Sequence, residues 1–502
     1  MEQLNLLLEG FSGALSPMNL LWVLIGCLIG TAVGVLPGLG SSMAVALLLP
    51  MTFALDPTAA FILFAGVYFG GLFGDSTMGI LMNTPGQASA IATTIEGHAM
   101  AKAGRAPQAL AVAAIGAFIG GMAASVVVVF LAPTLADLSA NFGPAEFFAL
   151  SLLAFGAISS VVADSVVKGL TALVLGLIIA TVGIDAISGA ERLTAGSMNL
   201  FDGISLVVVA VGMLALGEIL NVVTRIRRDP KPEQLGASGD RAYLSKSEIK
   251  EAIPAWGRGT AIGLPFGVIP VGGAEVPTFL AYDVERRIDR RRKVPVFGRG
   301  ALRGVAAPEA AGNSTTGMAM GALLALGLPV SATAAIMLAA FRQYGLQPGP
   351  LLFDNSPELV WALLASFFIA MIVLLIINLP FAHLWAKLLL IPPPYLYGSI
   401  VLFCGLGVYA TGLSRFDLLL FLAIGCLGFA MRRYDVPVAP LLIGMVLGPL
   451  AETSMRDALL GSNGDYAIFV SGPIPLVLYA LLLVVVGLKA RQALIGRARR
   501  DV

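Results

Sequence analysis

Proline and glycine fall together at four places inside long apolar stretches, each time beside polar side chains. The first two are Pro37-Gly38-Leu39-Gly40-Ser41-Ser42 and Asn83-Thr84-Pro85-Gly86, the latter preceded by Gly74, Asp75 and Ser76. The others are Pro270-Val271-Gly272-Gly273-Ala274-Glu275 and the run from Pro308-Glu309 to Gly312-Asn313-Ser314-Thr315-Thr316. Such pairs interrupt a helix, freeing N–H groups on one half and carbonyls on the other. In a bilayer that backbone is tolerable only where protein or a water-filled cavity satisfies it. Freed N–H groups with Gly38, Gly40, Ser41, Ser42, Asn83, Thr84 and Gly86 can cradle a carboxylate, as can Gly272, Gly273, Asn313, Ser314 and Thr315 in the second half. Glu275 and Glu309 are ionisable groups in an apolar setting, where charge is costly and usually functional. With Asp75 and Asn313 they form the candidate oxygen ligands for Na⁺, or the carriers of a coupling proton. Blander alternatives are tight interfacial turns for the glycines, and for Glu275 and Glu309 a helix cap or an ion pair with Arg299 or Arg303 near the cytoplasmic surface.

The elements that must hold these residues are transmembrane helices. Apolar residues make up 58% of the chain and charged residues 12%, with a mean hydropathy of +0.90, which no soluble fold of this length shares. The 58 glycines spread along the chain suit close helix packing better than a β-barrel. Run lengths predict an all-α polytopic membrane protein with about ten to twelve crossings plus re-entrant or hairpin segments. Residues 1–21 carry no basic region of a signal peptide, so the first apolar run is expected to stay in the mature protein.

One hydrophilic stretch, 225–258, divides a first membrane half (1–224) from a second (259–488), and a basic tail follows (489–502). The positive-inside rule puts the linker and the tail in the cytoplasm and the N-terminus outside. Gly34–Gly40 resembles Gly267–Gly273 at an offset of 233 positions, and Pro57–Ala65 resembles Ala332–Ala340 at 275. This predicts two inverted-topology repeats, the second carrying about forty extra residues that include the basic run Arg286–Lys293.

Other chemistry finds little support. His98 and His383 lack ligand spacing, no P-loop or serine-nucleophile elbow is present, and Cys27, Cys404 and Cys426 read as packing residues rather than a disulfide or metal set. No catalytic residues and no cofactor are expected.

The breaks belong to an ordered series: Gly34–Leu39, Tyr68–Gly71, Ser76-Thr77, Ile80–Gly86, Glu96-Gly97, Met100-Ala101, Phe297–Gly300, Gly304–Ala311, Leu326–Pro329, Tyr344–Pro350 and Pro437–Leu441. In this order and spacing the chain resembles the large transmembrane subunit of the tripartite tricarboxylate transporters along nearly its whole length. The resemblance implies a cation-coupled symporter, with Na⁺ as the coupling ion and H⁺ as the alternative, importing citrate or related small carboxylates. It implies as partners a periplasmic solute-binding protein and a small four-helix membrane subunit, in a bacterial inner membrane. Competing functions are a non-transporting assembly or sensing subunit and an intramembrane enzyme. Two departures from the family pattern, Asp75 within Gly74-Asp75-Ser76-Thr77 and Asn313-Ser314-Thr315-Thr316 in place of a double Asn with alanines, mark where coordination would differ.

Overall fold

Capping residues and first-turn prolines start the helices where the apolar runs begin. Ser16 accepts from the Asn19 N–H ahead of Pro17, and Asp56 accepts from the Thr58 N–H at 3.0 Å ahead of Pro57. Proline costs nothing there because the first-turn N–H is unpaired in any helix. The computed structural model describes residues 2–36, 39–83, 86–161, 165–185, 187–226, 244–269, 273–292, 294–388 and 393–498. Of the anticipated site residues, Gly38, Thr84 and Gly272 lie outside the described residues.

The helices run α1 (Glu2–Ala14), α2 (Pro17–Val35), α3 (Ser41–Thr52), α4 (Pro57–Met82), α5 (Ile91–Lys102), α6 (Ala106–Ser139), α7 (Pro144–Val161) and α8 (Val166–Ala180). They continue as α9 (Leu206–Thr224, with a π-helical turn at Gly212–Leu216), α10 (Lys246–Phe266), α11 (Glu275–Asp289), α12 (Arg303–Leu326), α13 (Ala332–Gln343) and α14 (Pro357–Asn378). The last are α15 (Pro393–Gly412), α16 (Arg415–Arg433), α17 (Ala439–Gly461) and α18 (Pro473–Ala498). Among the described residues the only strands are the pair Gly183–Ile184 and Glu191–Arg192. Five helices (α2, α4, α6, α9 and α14) are long and apolar enough to cross a membrane, and shorter apolar helices stand beside them. The protein is an all-α polytopic membrane protein. Within the stretch read as a linker, residues 246–258 are helical, because Ser245 and Glu248 form a reciprocal capping box that starts α10 at Lys246.

The helices pack backbone to backbone through glycine. On α2, Gly26, Gly30 and Gly34 face the carbonyls of Leu63, Val67 and Gly71 on α4, so closely that a Cβ would collide with each. On α10, Gly259, Gly263 and Gly267 face the carbonyls of Ala307, Ala311 and Thr315 on α12 in the same way. This is small-xxx-small packing, where dispersion replaces the hydrophobic effect that lipid cannot supply.

The two triplets lie 233 positions apart, as the first sequence pairing predicts, and their partners lie 244 apart. Both partner helices end on a left-handed residue, Asn83 (φ 56) and Gly327 (φ 64), also 244 apart. The short helices that follow, α5 and α13, close alike: Arg105 N–H donates to Met100 O at 2.9 Å, and Leu346 N–H to Phe341 O at 2.8 Å. Thus α4 corresponds to α12, not to α13, which corrects the pairing of Pro57–Ala65 with Ala332–Ala340. Alanine-rich strings match one another without sharing a place in the fold. The second repeat is eleven residues longer between its glycine helix and its partner helix, not forty, and those residues fall in α11 and the basic loop after it. Ser76 on α4 meets Glu309 near the start of α12, while Tyr68 meets Ser331 beyond its end. Equivalent helices therefore run antiparallel, as an inverted repeat requires.

One buried carboxylate, Glu96, ties the two halves together, and a second, Glu285 on α11, ties α10 and α12 of the second repeat to it. Glu96, fully buried, accepts from the N–H groups of Gly298 (2.6 Å), Gly300 (2.9 Å) and Ala301 (2.8 Å) and from Tyr282 Oη (3.0 Å). Glu285 pairs with Arg303 and with Arg258 Nε, the latter at 2.5 Å.

At the end of α8, Asp185 organises the turn leading to α9. It accepts from Ser188 and from Arg456 Nη1 (2.9 Å), and Arg192 Nη2 lies at 2.8 Å, while Glu452 joins both arginines. The Ser188 hydroxyl first and Arg456 next hold the Asp185 carboxyl well below the usual carboxylate range against the opposing effect of burial, with smaller help from the Ile187 N–H and Arg192. A lowered folded-state pKa stabilises above the unfolded value and loses that stabilisation as pH falls. Hydrogen exchange at Ser188 and Ala190 is therefore expected to stay slow down to about pH 4 and accelerate below it. In Asp185→Asn it should be fast at neutral pH.

Candidate functional site

Two tips are built from described residues, Leu39–Ser41 at the start of α3 and Gly273-Ala274 ahead of α11; the first meets the breaks that follow both long helices, α4 and α12, and the second meets the break that follows α12. At the first tip, Ser41 Oγ lies 3.3 Å from Thr333 Oγ1, at the start of α13, and 3.4 Å from Gln87 Oε1. Ser41 opens α3 and Ser331 caps α13 by accepting from Ala334 N–H at 3.2 Å, so two helix N-termini converge there. Gly40 packs beside Gln87, whose Nε2 is buried with no partner among the described residues. Ser42 is half-buried next along the chain.

Asp75 shapes the break after α4. Its Oδ1 accepts from Gly86 N–H at 2.5 Å, and Oδ2 accepts from Gln87 N–H at 3.1 Å. Asn83 ends the helix as an exposed left-handed residue. At the second tip, Gly273 (φ 81) sits against Glu275 and Ser331. Tyr68 Oη reaches Ser331 Oγ at 3.2 Å, and Glu275 Oε2 is buried with no partner among the described residues.

Glu309 stands between the tips. Its Oε1 accepts from Ser76 Oγ at 2.7 Å and from Thr93 Oγ1 at 2.6 Å. One helical turn on, Asn313 Nδ2 donates to Glu309 O at 3.1 Å, leaving Oδ1 buried and unpartnered among the described residues. Asp75, Ser76, Ser89, Thr278, Glu309 and Asn313 line one cavity of ≈ 10 Å³, room for a single water-sized particle. A second cavity of the same size lies on the other side of Ser76 and Glu309, against Asn378.

The structure thus draws Gly40, Ser41, Asp75, Gly86, Gly273, Glu275, Glu309 and Asn313 to the tips and the space between them. Ser314 and Thr315 are elsewhere: they donate to Thr260 O at 3.3 Å and Gly263 O at 2.9 Å, and so fasten α12 to α10. Among the described residues neither Arg299 nor Arg303 pairs with Glu309, and Arg303 is engaged by Glu285. Sequence reasoning did not single out Thr93, Gln87, Tyr68, Thr278 or Thr333. The adjacent hydroxyls Thr93-Thr94 in a short apolar helix were the available signal.

Among the described residues, no lysine or arginine pairs with Asp75, Glu275 or Glu309. Nor does any group of three or more histidine, cysteine, aspartate or glutamate side chains gather. The donors are carboxylate, amide and hydroxyl oxygens, the set that hard cations take. Asn313 Oδ1 and Glu275 Oε2 are oxygens still seeking a partner, so these residues fit a small cation.

Residues 20–443 match the family model described as the tripartite tricarboxylate transporter TctA family. An uncharacterised 52.8 kDa protein in the 3′ region of ttuC′ in TAR-I of Agrobacterium vitis is 39% identical over 502 residues, covering 100% of this chain and 98% of that one. A second uncharacterised protein, in the TAR-II ttuC′ 3′ region of the same organism, is 38% identical over 239 residues, 48% of this chain and 97% of that one. No solved structure matches the chain.

Proposed function

The chain belongs to the tripartite tricarboxylate transporter TctA family, and on that premise we propose that it imports small di- or tricarboxylates by Na⁺-coupled symport across a bacterial inner membrane. As a member it is a transporter subunit and not an enzyme. Its proposed partners are a periplasmic solute-binding protein, which delivers the substrate, and a small four-helix membrane subunit.

One observation supports the coupling: among the described residues, Asp75, Glu275 and Glu309, beside the helix N-termini proposed for the carboxylate, have no basic partner. The α3 and α13 N-termini at Ser41 and Thr333 offer N–H groups to the anion. Asp75, Glu309 and Asn313, with Glu275 at the second tip, offer oxygens to the cation. Bound Na⁺ supplies the positive charge that the protein does not, so substrate affinity depends on the ion. Antiparallel repeats with one tip each provide for alternating access.

Reconstitution of the chain with both partners in liposomes tests this. Labelled citrate is expected to accumulate under an inward Na⁺ gradient and not under an equal K⁺ gradient. Accumulation under a proton gradient alone would transfer the coupling to H⁺, and none under any gradient would favour a non-transporting assembly role.

A further inference from the structure

Away from the tips, two large cavities open on either side of one arginine at the end of α13. The first, ≈ 660 Å³, is lined by Gly183, Phe201, Gly203, Gln343 and Val446. The second, ≈ 810 Å³, is lined by Phe142, Gly327, Gln347, Gly349 and Thr453. Arg342 lines both. Each volume falls in the range of small-molecule sites, about 300–1,000 Å³.

Arg342 is exposed to this space but fixed in direction, because its Nη1 donates to Val446 O at 2.7 Å. Asp202 lines the first cavity and Asp354 the second, yet among the described residues no carboxylate comes within ion-pair distance of Arg342. The nearby arginines, Arg192 on the neighbouring turn and Arg456 on α17, are each matched by Asp185 and Glu452. A guanidinium held by one nitrogen, with its remaining donors free, is built to take a carboxylate from solution.

The position suits an entrance. The span α9 separates the turn at 183–205, which borders the first cavity, from the basic segment that follows residue 226, so the cavities open on the face opposite that segment. The positive-inside rule makes it the outer face. Arg342 and Thr333 sit on one helix nine residues apart, about 14 Å along its axis.

We infer that Arg342 is the carboxylate-capturing residue of an outer vestibule, holding one carboxylate of an incoming di- or tricarboxylate before it reaches the tip at Ser41 and Thr333. The inference rests on the transport reading above, and the test separates the two.

Citrate uptake is measured in liposomes holding the full tripartite system. Arg342→Gln is expected to raise KM about tenfold with maximal rate within about twofold of wild type. Arg342→Lys should fall between. The double variant R342Q/Q343R, which returns the guanidinium to the wall of the same cavity, should recover most of the lost affinity, a result that a purely structural role of the Val446 contact would not give. In the wild type, KM should rise with ionic strength, and this slope should flatten in R342Q. Wild-type uptake with an unchanged KM in R342Q, or a salt-independent wild-type KM where R342Q cannot be recovered from membranes, overturns the capture role alone. A wild-type system that moves no citrate overturns the transport reading and this inference with it.

Discussion

Replacing Glu309 with glutamine is expected to lower Na⁺-dependent citrate uptake about 10- to 100-fold, the usual loss when a group supporting a metal site is removed. The amide is nearly isosteric and can still accept from Ser76 and Thr93, which donate at 2.7 and 2.6 Å. The fold should therefore persist while the charge that a cation needs is lost. The apparent Na⁺ affinity should fall more than the citrate affinity measured at saturating Na⁺. Glu309→Asp retracts the carboxylate from both hydroxyls and should give an intermediate defect. Uptake and Na⁺ dependence equal to wild type in E309Q would remove Glu309 from the coupling site.

The second large effect concerns assembly. Gly30→Val and Gly263→Val each force a branched side chain against a backbone carbonyl, of Val67 in the first case and Ala311 in the second. Backbone cannot retreat as a side chain can, so each should cost about 3 kcal/mol, at the upper end of overpacking penalties. Loss of the monodisperse peak in size-exclusion chromatography of the solubilised protein is the expected readout. Gly257→Ala, on the same helix as Gly263 but with nothing within 4 Å of the added Cβ, should be neutral or slightly stabilising. A monodisperse, active Gly30→Val would refute the close packing of α2 on α4.

These two effects mark what could be read along the chain and what could not. The Pro-Gly breaks are local signals and led to both tips, because an interrupted helix in lipid has few uses. The glycine spacing of four was equally legible in Gly26-Gly30-Gly34 and Gly259-Gly263-Gly267 and supports the 233-position pairing, but it carries nothing of the 244-position correspondence of α4 with α12, where alanine strings misled. Helical spacing also separates Glu309 and Asn313, four apart on one face, from Ser314 and Thr315, which the turn rotates toward α10. What no local pattern carries is convergence. Ser41 meets Thr333 across 292 positions and Thr93 meets Glu309 across 216, and only the packing of one repeat against the other selects those partners.

That convergence also sets a timetable for biosynthesis. The hydroxyl of Ser76 and the carboxylate it supports are 233 residues apart in the chain, so at ~5–20 residues per second the ribosome takes roughly 10 to 50 s to deliver the second after the first. Throughout that interval α4 waits in the translocon or the bilayer with Asp75 already in place and no completed cavity around it. The first repeat is in this sense an unfinished object, and the machinery that inserts it must shelter an apolar helix that carries one carboxylate until its inverted twin arrives.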